Sequence, residues 1–77
     1  NPARIHERTE ASAILWRALN RIADEHREIL VLKELQGFRY SEIADILGIP
    51  EGTVASRLYH ARDGLREALV SMNAEYP

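Results

Sequence analysis

The segment from Ile46 to Leu69, ILGIPEGTVASRLYHARDGLREAL, carries the side chains whose types and spacing could do chemistry. Three arginines against one aspartate leave residues 52–66 at a formal charge of +2, although the whole chain stands at −2. Cationic side chains bind phosphate oxygens, and a serine and a tyrosine such as Ser56 and Tyr59 can contact base edges. This combination favours contact with nucleic acid.

Other kinds of chemistry find little support in the sequence. No serine is accompanied by a histidine and an aspartate at a spacing that suggests a catalytic triad, and no glycine-rich loop suggests a phosphate cradle. The three histidines, His6, His26 and His60, share no metal-ligand spacing, and the chain has no cysteine. We therefore expect no enzymatic activity, no metal and no cofactor.

Length and composition predict a single small domain. A chain of 77 residues can form only one modest core. The absence of cysteine suggests a reducing compartment, and no apolar run approaches the roughly 20 residues that cross a bilayer, so a soluble cytoplasmic protein is expected. We predict a linker remnant at 1–8, the domain at 9–72 and a C-terminal tail at 73–77.

Hydrophobic periodicity predicts two helices in the first half of the chain. The first should be capped by Thr9 or Ser12 and end near residues 21–23. The second should run from Glu25 to Gln36 with Asp24 as its N-cap. Its inner stripe is predicted to contain Ile29, Leu32 and Leu35, with Leu30 and Val31 widening it.

Two further helices are predicted in the second half. A short helix should run from Tyr40 to Leu47 and end at Gly48, and a longer one from Glu51 to about Met72. The inner stripe of the long helix is predicted to contain Val54, Leu58, Ala61, Leu65, Leu69 and Met72. Since no strand pattern competes, the fold class is all-α: four helices with a C-terminal helix-turn-helix of winged-helix-like type.

The turn between the last two helices has the residues that a helix-turn-helix needs. Gly48 can adopt a positive φ angle, and Ile49 can anchor the turn to the core. Small residues at Gly52, Ala55 and Ser56 would let the last helix approach DNA closely, entering the major groove by its N-terminus.

From Leu19 to Leu69 the sequence resembles region 4 of bacterial sigma factors of the extracytoplasmic-function (ECF) group. The matching pieces are EHREILVLKELQG, YSEIADILGIPEGTV and SRLYHAR. The resemblance implies a domain that recognises the minus-35 promoter element during transcription initiation. It further implies core RNA polymerase, through its flap element, and an anti-sigma factor as partners.

The resemblance and the positions on the helices together predict a set of DNA-binding residues. Where the family usually has lysine or arginine this chain has Ala55, and where arginine is frequent it has His60. Arg57 could contact phosphate or form an ion pair with Glu42 or Asp45. The predicted set is Arg39, Thr53, Ala55, Ser56, Arg57, Tyr59, His60 and Arg62.

Several expectations about individual residues stay open. Arg62 and Arg66 suit phosphate or polymerase, but could equally be solvated. Arg39 occupies the place where the family commonly has a serine N-cap, so Ser41 is expected to cap a shortened third helix. Trp16 is expected in the core, although a half-exposed tryptophan could serve a partner.

Two alternative functions remain. One is a sigma-like domain that binds an anti-sigma factor or polymerase without reading DNA, which Ala55 and the weak basic character favour. The other is the LuxR-type output domain of response regulators, which shares the glycine turn. That domain class has a separate dimerising helix after the recognition helix, whereas here the apolar stripe continues to Met72.

Overall fold

A computed structural model describes residues 9–75, apart from the side chain of Ala74, and the predicted linker at 1–8 lies outside them. Helix α1 is Glu10–Leu19, and α2 is Asp24–Leu30 with a π-helical continuation, Val31–Leu35. Helix α3 is Tyr40–Leu47 and α4 is Glu51–Glu75. Residues 9–75 contain no strand, so the all-α prediction is confirmed. Within that range no helix combines the length and apolar character needed to cross a membrane.

Helix α1 begins as one of the two predicted caps requires. The Thr9 hydroxyl accepts a hydrogen bond from the Ser12 backbone N–H at 3.0 Å, so Thr9 is the N-cap and Ser12 is a residue of the helix. The helix ends at Leu19, before the predicted residues 21–23, because the chain turns there. The Arg21 N–H donates to the Ala18 carbonyl at 3.0 Å within this turn.

The prediction that Asp24 caps α2 is wrong. Asp24 is the first helical residue, and Ala23, with an extended ψ of 146°, occupies the N-cap position. The Asp24 carboxylate instead accepts a hydrogen bond from the Arg27 guanidinium at 2.6 Å. An acid in the first turn still favours the helix, since it faces the positive end of the helix dipole.

The second half of α2 departs from the predicted register. The Gln36 N–H donates to the Val31 carbonyl at 2.9 Å, a bond across five residues that makes the last turn wider than an α-helical turn. Leu35, predicted on the inner stripe, is therefore 49% exposed, and Leu30 is buried beside Ile29. The prediction for Leu35 is wrong because an α-helical period does not hold across a π-helical turn.

Helix α3 and the start of α4 match their predicted bounds, whereas α4 continues to Glu75, past its predicted end near Met72 and into the predicted tail. Gly48 has a φ of +68° and ends α3, and the Ile49 N–H donates to the Ala44 carbonyl at 3.0 Å. At the start of α3 the N-cap is Arg39, so the prediction that Ser41 caps a shortened helix is wrong. The Glu42 carboxylate accepts a hydrogen bond from the Arg39 backbone N–H at 2.8 Å and helps to fix this end.

The core forms where α4 packs against each of the other three helices. Val54, Leu58 and Ala61 are fully buried, as their predicted stripe requires. Met72, further along the same helix, is also buried. Leu65 and Leu69 on the same stripe are half-buried. The buried residues that pack against this face are Leu19, Ile29, Leu30 and Ile43.

A stability prediction follows from Gly64 in the middle of α4. A Cβ atom at this position would lie 3.9 Å from Ile22 Cγ2 and 4.0 Å from His26 Nδ1, which are ordinary van der Waals distances. We expect Gly64→Ala to raise the free energy of unfolding by about 1 kcal/mol, because alanine restricts the unfolded chain and favours the helix. Urea unfolding followed by circular dichroism measures the change.

Gly48→Ala is the matched control for this prediction. A Cβ at Gly48 would meet no atom within 4 Å, but the positive φ of +68° penalises any residue with a side chain. We expect this variant to lose about 1–2 kcal/mol. If the two substitutions change the stability equally, then either Gly48 is not required for its positive φ, or Gly64 is not a position where alanine is simply tolerated.

A pH prediction follows from the far end of α4. The Arg21 guanidinium donates to the Glu75 carboxylate at 3.0 Å and so holds the pKa of Glu75 below its ordinary 4.5. The stability from this pair should be present above pH 4.5 and disappear as the pH falls through the lowered pKa. In an NMR titration of the carboxyl group, Arg21→Gln should return the pKa towards 4.5. An unchanged titration would contradict the pairing.

Candidate nucleic-acid interface

In the first half of α4, the buried residues determine which residues on the opposite side of the helix face solvent. Because Val54 and Leu58 are fully buried, the residues across the helix axis must face solvent. Four predicted DNA-binding residues lie there, and all of them are exposed: Ala55, Ser56, Tyr59 and His60. We call these four residues the α4 ridge.

Two aromatic rings form the most prominent part of the ridge. The ring centroids of Tyr59 and His60 lie 5.3 Å apart at an interplanar angle of 82°, an edge-to-face arrangement. Tyr59 is 70% exposed, so its ring face and hydroxyl both remain accessible. A tyrosine presented in this way can pack on a thymine methyl group or on a sugar.

The first turn of α4 offers small and polar groups. The Ser56 hydroxyl donates to the Thr53 carbonyl at 3.2 Å, which leaves its oxygen lone pairs as acceptors. The Thr53 N–H donates to the Pro50 carbonyl at 3.0 Å, so the half-buried Thr53 would contact a phosphate by its hydroxyl. Gly52 has open space around its Cα, and Ala55 adds no more than a methyl group.

Arg57 points away from the partners predicted for it. Its guanidinium lies 4.0 Å from the Glu25 carboxylate of α2, a separation that fits a weak ion pair but is too long for a hydrogen bond. Its side chain is only 23% exposed. The predicted ion pair with Glu42 or Asp45 is wrong, because this flank of α4 faces α2 and not α3.

Arg62 is engaged by a carboxylate of α2. Its terminal nitrogen lies 2.6 Å, and its Nε 3.2 Å, from the same Oε1 atom of Glu34. The hydrogen bond to Glu34 raises the pKa of the Arg62 guanidinium, and Tyr40 adds a smaller contribution in the same direction. Arg62 therefore already has an anionic partner within the domain.

The two remaining arginines near the ridge differ in how they are held. Arg66 forms a hydrogen bond with Asp63, one turn earlier on the same helix. Arg39, at the start of α3, keeps 84% of its side chain exposed, and its Nε lies 3.7 Å from the Glu42 carboxylate. Arg39 is thus the most exposed cationic side chain among these ion-paired arginines.

Sequence reasoning assigned no role to two residues of α2 next to this region. Lys33 places its ammonium 5.5 Å from the centroid of the Tyr40 ring, and Glu34 holds Arg62. Tyr40 itself is half-buried and packs against the core, as expected. No local sequence signal points to these pairings, because they depend on how the π-helical turn of α2 meets the other helices.

Trp16 and the possibility of a metal site lie outside the α4 ridge. Trp16 is 37% exposed and lines a shallow cavity between α1 and α2 with Arg27 and Leu32 among its walls. In residues 9–75 no three histidine, aspartate or glutamate side chains gather closely enough to hold a metal ion.

Comparison with known proteins identifies the family of this chain. Residues 12–65 match the family described as "Sigma-70, region 4". Over 75 residues the chain is 36% identical to the "ECF RNA polymerase sigma factor SigE" of Mycolicibacterium smegmatis, covering 97% of this chain and 29% of that protein.

Two further relatives give the same result. The chain is 33% identical over 69 residues to the "RNA polymerase sigma-H factor" of Pseudomonas aeruginosa, covering 90% of this chain and 36% of the relative. It is 35% identical over 65 residues to the "ECF RNA polymerase sigma-E factor" of Escherichia coli, covering 84% and 34%. The chain spans about a third of the length of these curated relatives.

Proposed function

The chain belongs to the sigma-70 region 4 family, and from that premise we propose that it recognises the minus-35 element of promoters as part of an ECF sigma factor. In this role it acts by binding and not by catalysis, and it supports transcription initiation by RNA polymerase in the cytoplasm. The observation that carries the proposal is the α4 ridge: four exposed residues, small, polar or aromatic, on a helix whose opposite side is buried.

The ridge suits the major groove in shape and in chemistry. The small first turn of α4, at Gly52 and Ala55, lets the helix backbone approach the DNA, and Ser56 and Tyr59 then reach base edges. Thr53 and the exposed Arg39 are positioned for the flanking phosphates. This division follows the general pattern in which phosphate contacts orient a helix and base contacts provide the sequence preference.

Electrostatics predict that the isolated domain binds weakly. Every arginine of α4 has a carboxylate within ion-pair distance, and the chain carries a net charge of −2. At most three or four cations can release counterions, which corresponds to a salt slope of about −3 to −4. Useful affinity then requires tethering to core RNA polymerase, through its flap element, and to the remainder of the sigma factor. An anti-sigma factor is the expected regulator.

A second candidate function is an interaction domain that binds polymerase or an anti-sigma factor and does not read DNA. Ala55 in place of a cation and the paired arginines favour it. The response-regulator output domain receives less support, because residues 12–65 match the sigma-70 region 4 family.

The test is promoter selection by core polymerase assembled with the complete sigma factor that contains this chain. We expect Ser56→Ala and Tyr59→Ala to change which bases are selected in the minus-35 element, each with a loss of about 1–3 kcal/mol on the preferred sequence. Arg62→Ala should weaken all sequences alike, because a phosphate contact carries no base information. Ala55→Arg should strengthen binding.

Val70→Ala is the matched control. Val70 is 65% exposed on the same helix but lies three turns beyond Tyr59, so we expect its substitution to leave selection unchanged. If polymerase selects the same minus-35 bases with Ser56→Ala, Tyr59→Ala and Val70→Ala, the ridge does not read DNA. The interaction-only function would then replace this proposal.

A further inference from the structure

The ion pair between Glu34 and Arg62 lies beside the α4 ridge. Arg62 follows Ala55 by seven residues, close to two helical turns of about 3.6 residues each, so the two side chains leave α4 in nearly the same direction. Tyr59 lies between them. Arg62 is therefore on the flank of α4 that the proposed function places against DNA, while Glu34 approaches that flank from α2.

The chemistry of the pair makes Glu34 a substitute for phosphate. Glu34 Oε1 accepts from two nitrogens of one guanidinium, at 2.6 and 3.2 Å. A DNA phosphate offers oxygens to the same fork of donors. Because the Nε–H and one terminal N–H of Arg62 are engaged by Glu34, Arg62 can offer this fork of donors to a phosphate only after it leaves Glu34.

The exposure of the pair makes this exchange feasible. The two side chains are 48% and 50% exposed, and ion pairs in such positions contribute little to stability. The other α4 arginines differ. Arg57 is only 23% exposed and lies 4.0 Å from Glu25, too far for a hydrogen bond, and Arg66 pairs with Asp63 of its own helix. Glu34 is the carboxylate that reaches from another helix to hydrogen-bond an arginine of α4 within the described residues.

We propose that Glu34 is an internal competitor for DNA phosphate, which holds Arg62 and thereby lowers the affinity of the domain for DNA of any sequence. This inference rests on the proposed function. Because Arg62 contacts no base, the competition reduces binding to promoter and to unrelated DNA alike and leaves base preference unchanged. The domain then stays off non-specific DNA until the assembled polymerase supplies the missing affinity.

The test compares Glu34→Gln with the unaltered 77-residue chain on two labelled duplexes, one with the selected minus-35 sequence and one scrambled. Fluorescence anisotropy is measured as the salt concentration rises. We expect Glu34→Gln to bind both duplexes about three- to tenfold more tightly at low salt, with a slope steeper by about 0.9, because one more phosphate is neutralised.

Two variants control for net charge. Glu28→Gln removes the same charge from an exposed position of the same helix and should improve binding much less. Glu34→Asp keeps the charge but shortens the side chain away from Arg62, so we expect it to bind more tightly than the unaltered chain. It also serves as the test variant should circular dichroism show that Glu34→Gln does not fold.

A double variant identifies the residue through which Glu34 acts. Adding Arg62→Gln to Glu34→Gln should remove the gain in affinity and the steeper slope. A gain no larger than that of Glu28→Gln, or one that survives without Arg62, would overturn the inference. If the unaltered factor directs polymerase to its promoter but Glu34→Gln gains nothing, this inference fails alone. If no form binds either duplex or selects a promoter, the proposed function fails with it.

Discussion

The burial of one face of α4 is the constraint on which the rest of the structure depends. Three short helices cannot form a core alone, and each of them packs against α4. Val54, Leu58 and Ala61 have no exposed surface, so any rotation of α4 about its axis would expose apolar groups to water. The same burial determines which residues face outwards. The geometry of the candidate interface is therefore a consequence of the packing of the core.

Features that depend on neighbouring residues could be predicted from the sequence. The bounds of α3, the start of α4 and the cap at Thr9 each follow from a glycine, a proline or a hydroxyl within a few positions. The outward direction of Ser56 and Tyr59 follows from the helical period alone. Local rules therefore predicted most of the fold and the exposed part of the candidate site.

Features that depend on contacts between helices could not be predicted in this way. A wider turn at the end of α2 turns Leu35 outwards, and the sequence of that turn has no signal that distinguishes it from an α-helix. The partner of Arg57 is in α2 because of how two helices cross, and the partner of Arg62 is 28 residues away. The ion-pair partners of the arginines near the ridge are therefore determined by tertiary structure, although the positions of the ridge residues follow from the helical period.

The length of α4 has a structural consequence. At about 1.5 Å per residue, a helix of 25 residues forms a rod of about 37 Å. Its first turns bear the ridge, while its last turns are clamped to the α1–α2 turn by Arg21 and Glu75. The helix therefore joins the exposed ridge at one end of the domain to the Arg21–Glu75 ion pair at the other end through one continuous element.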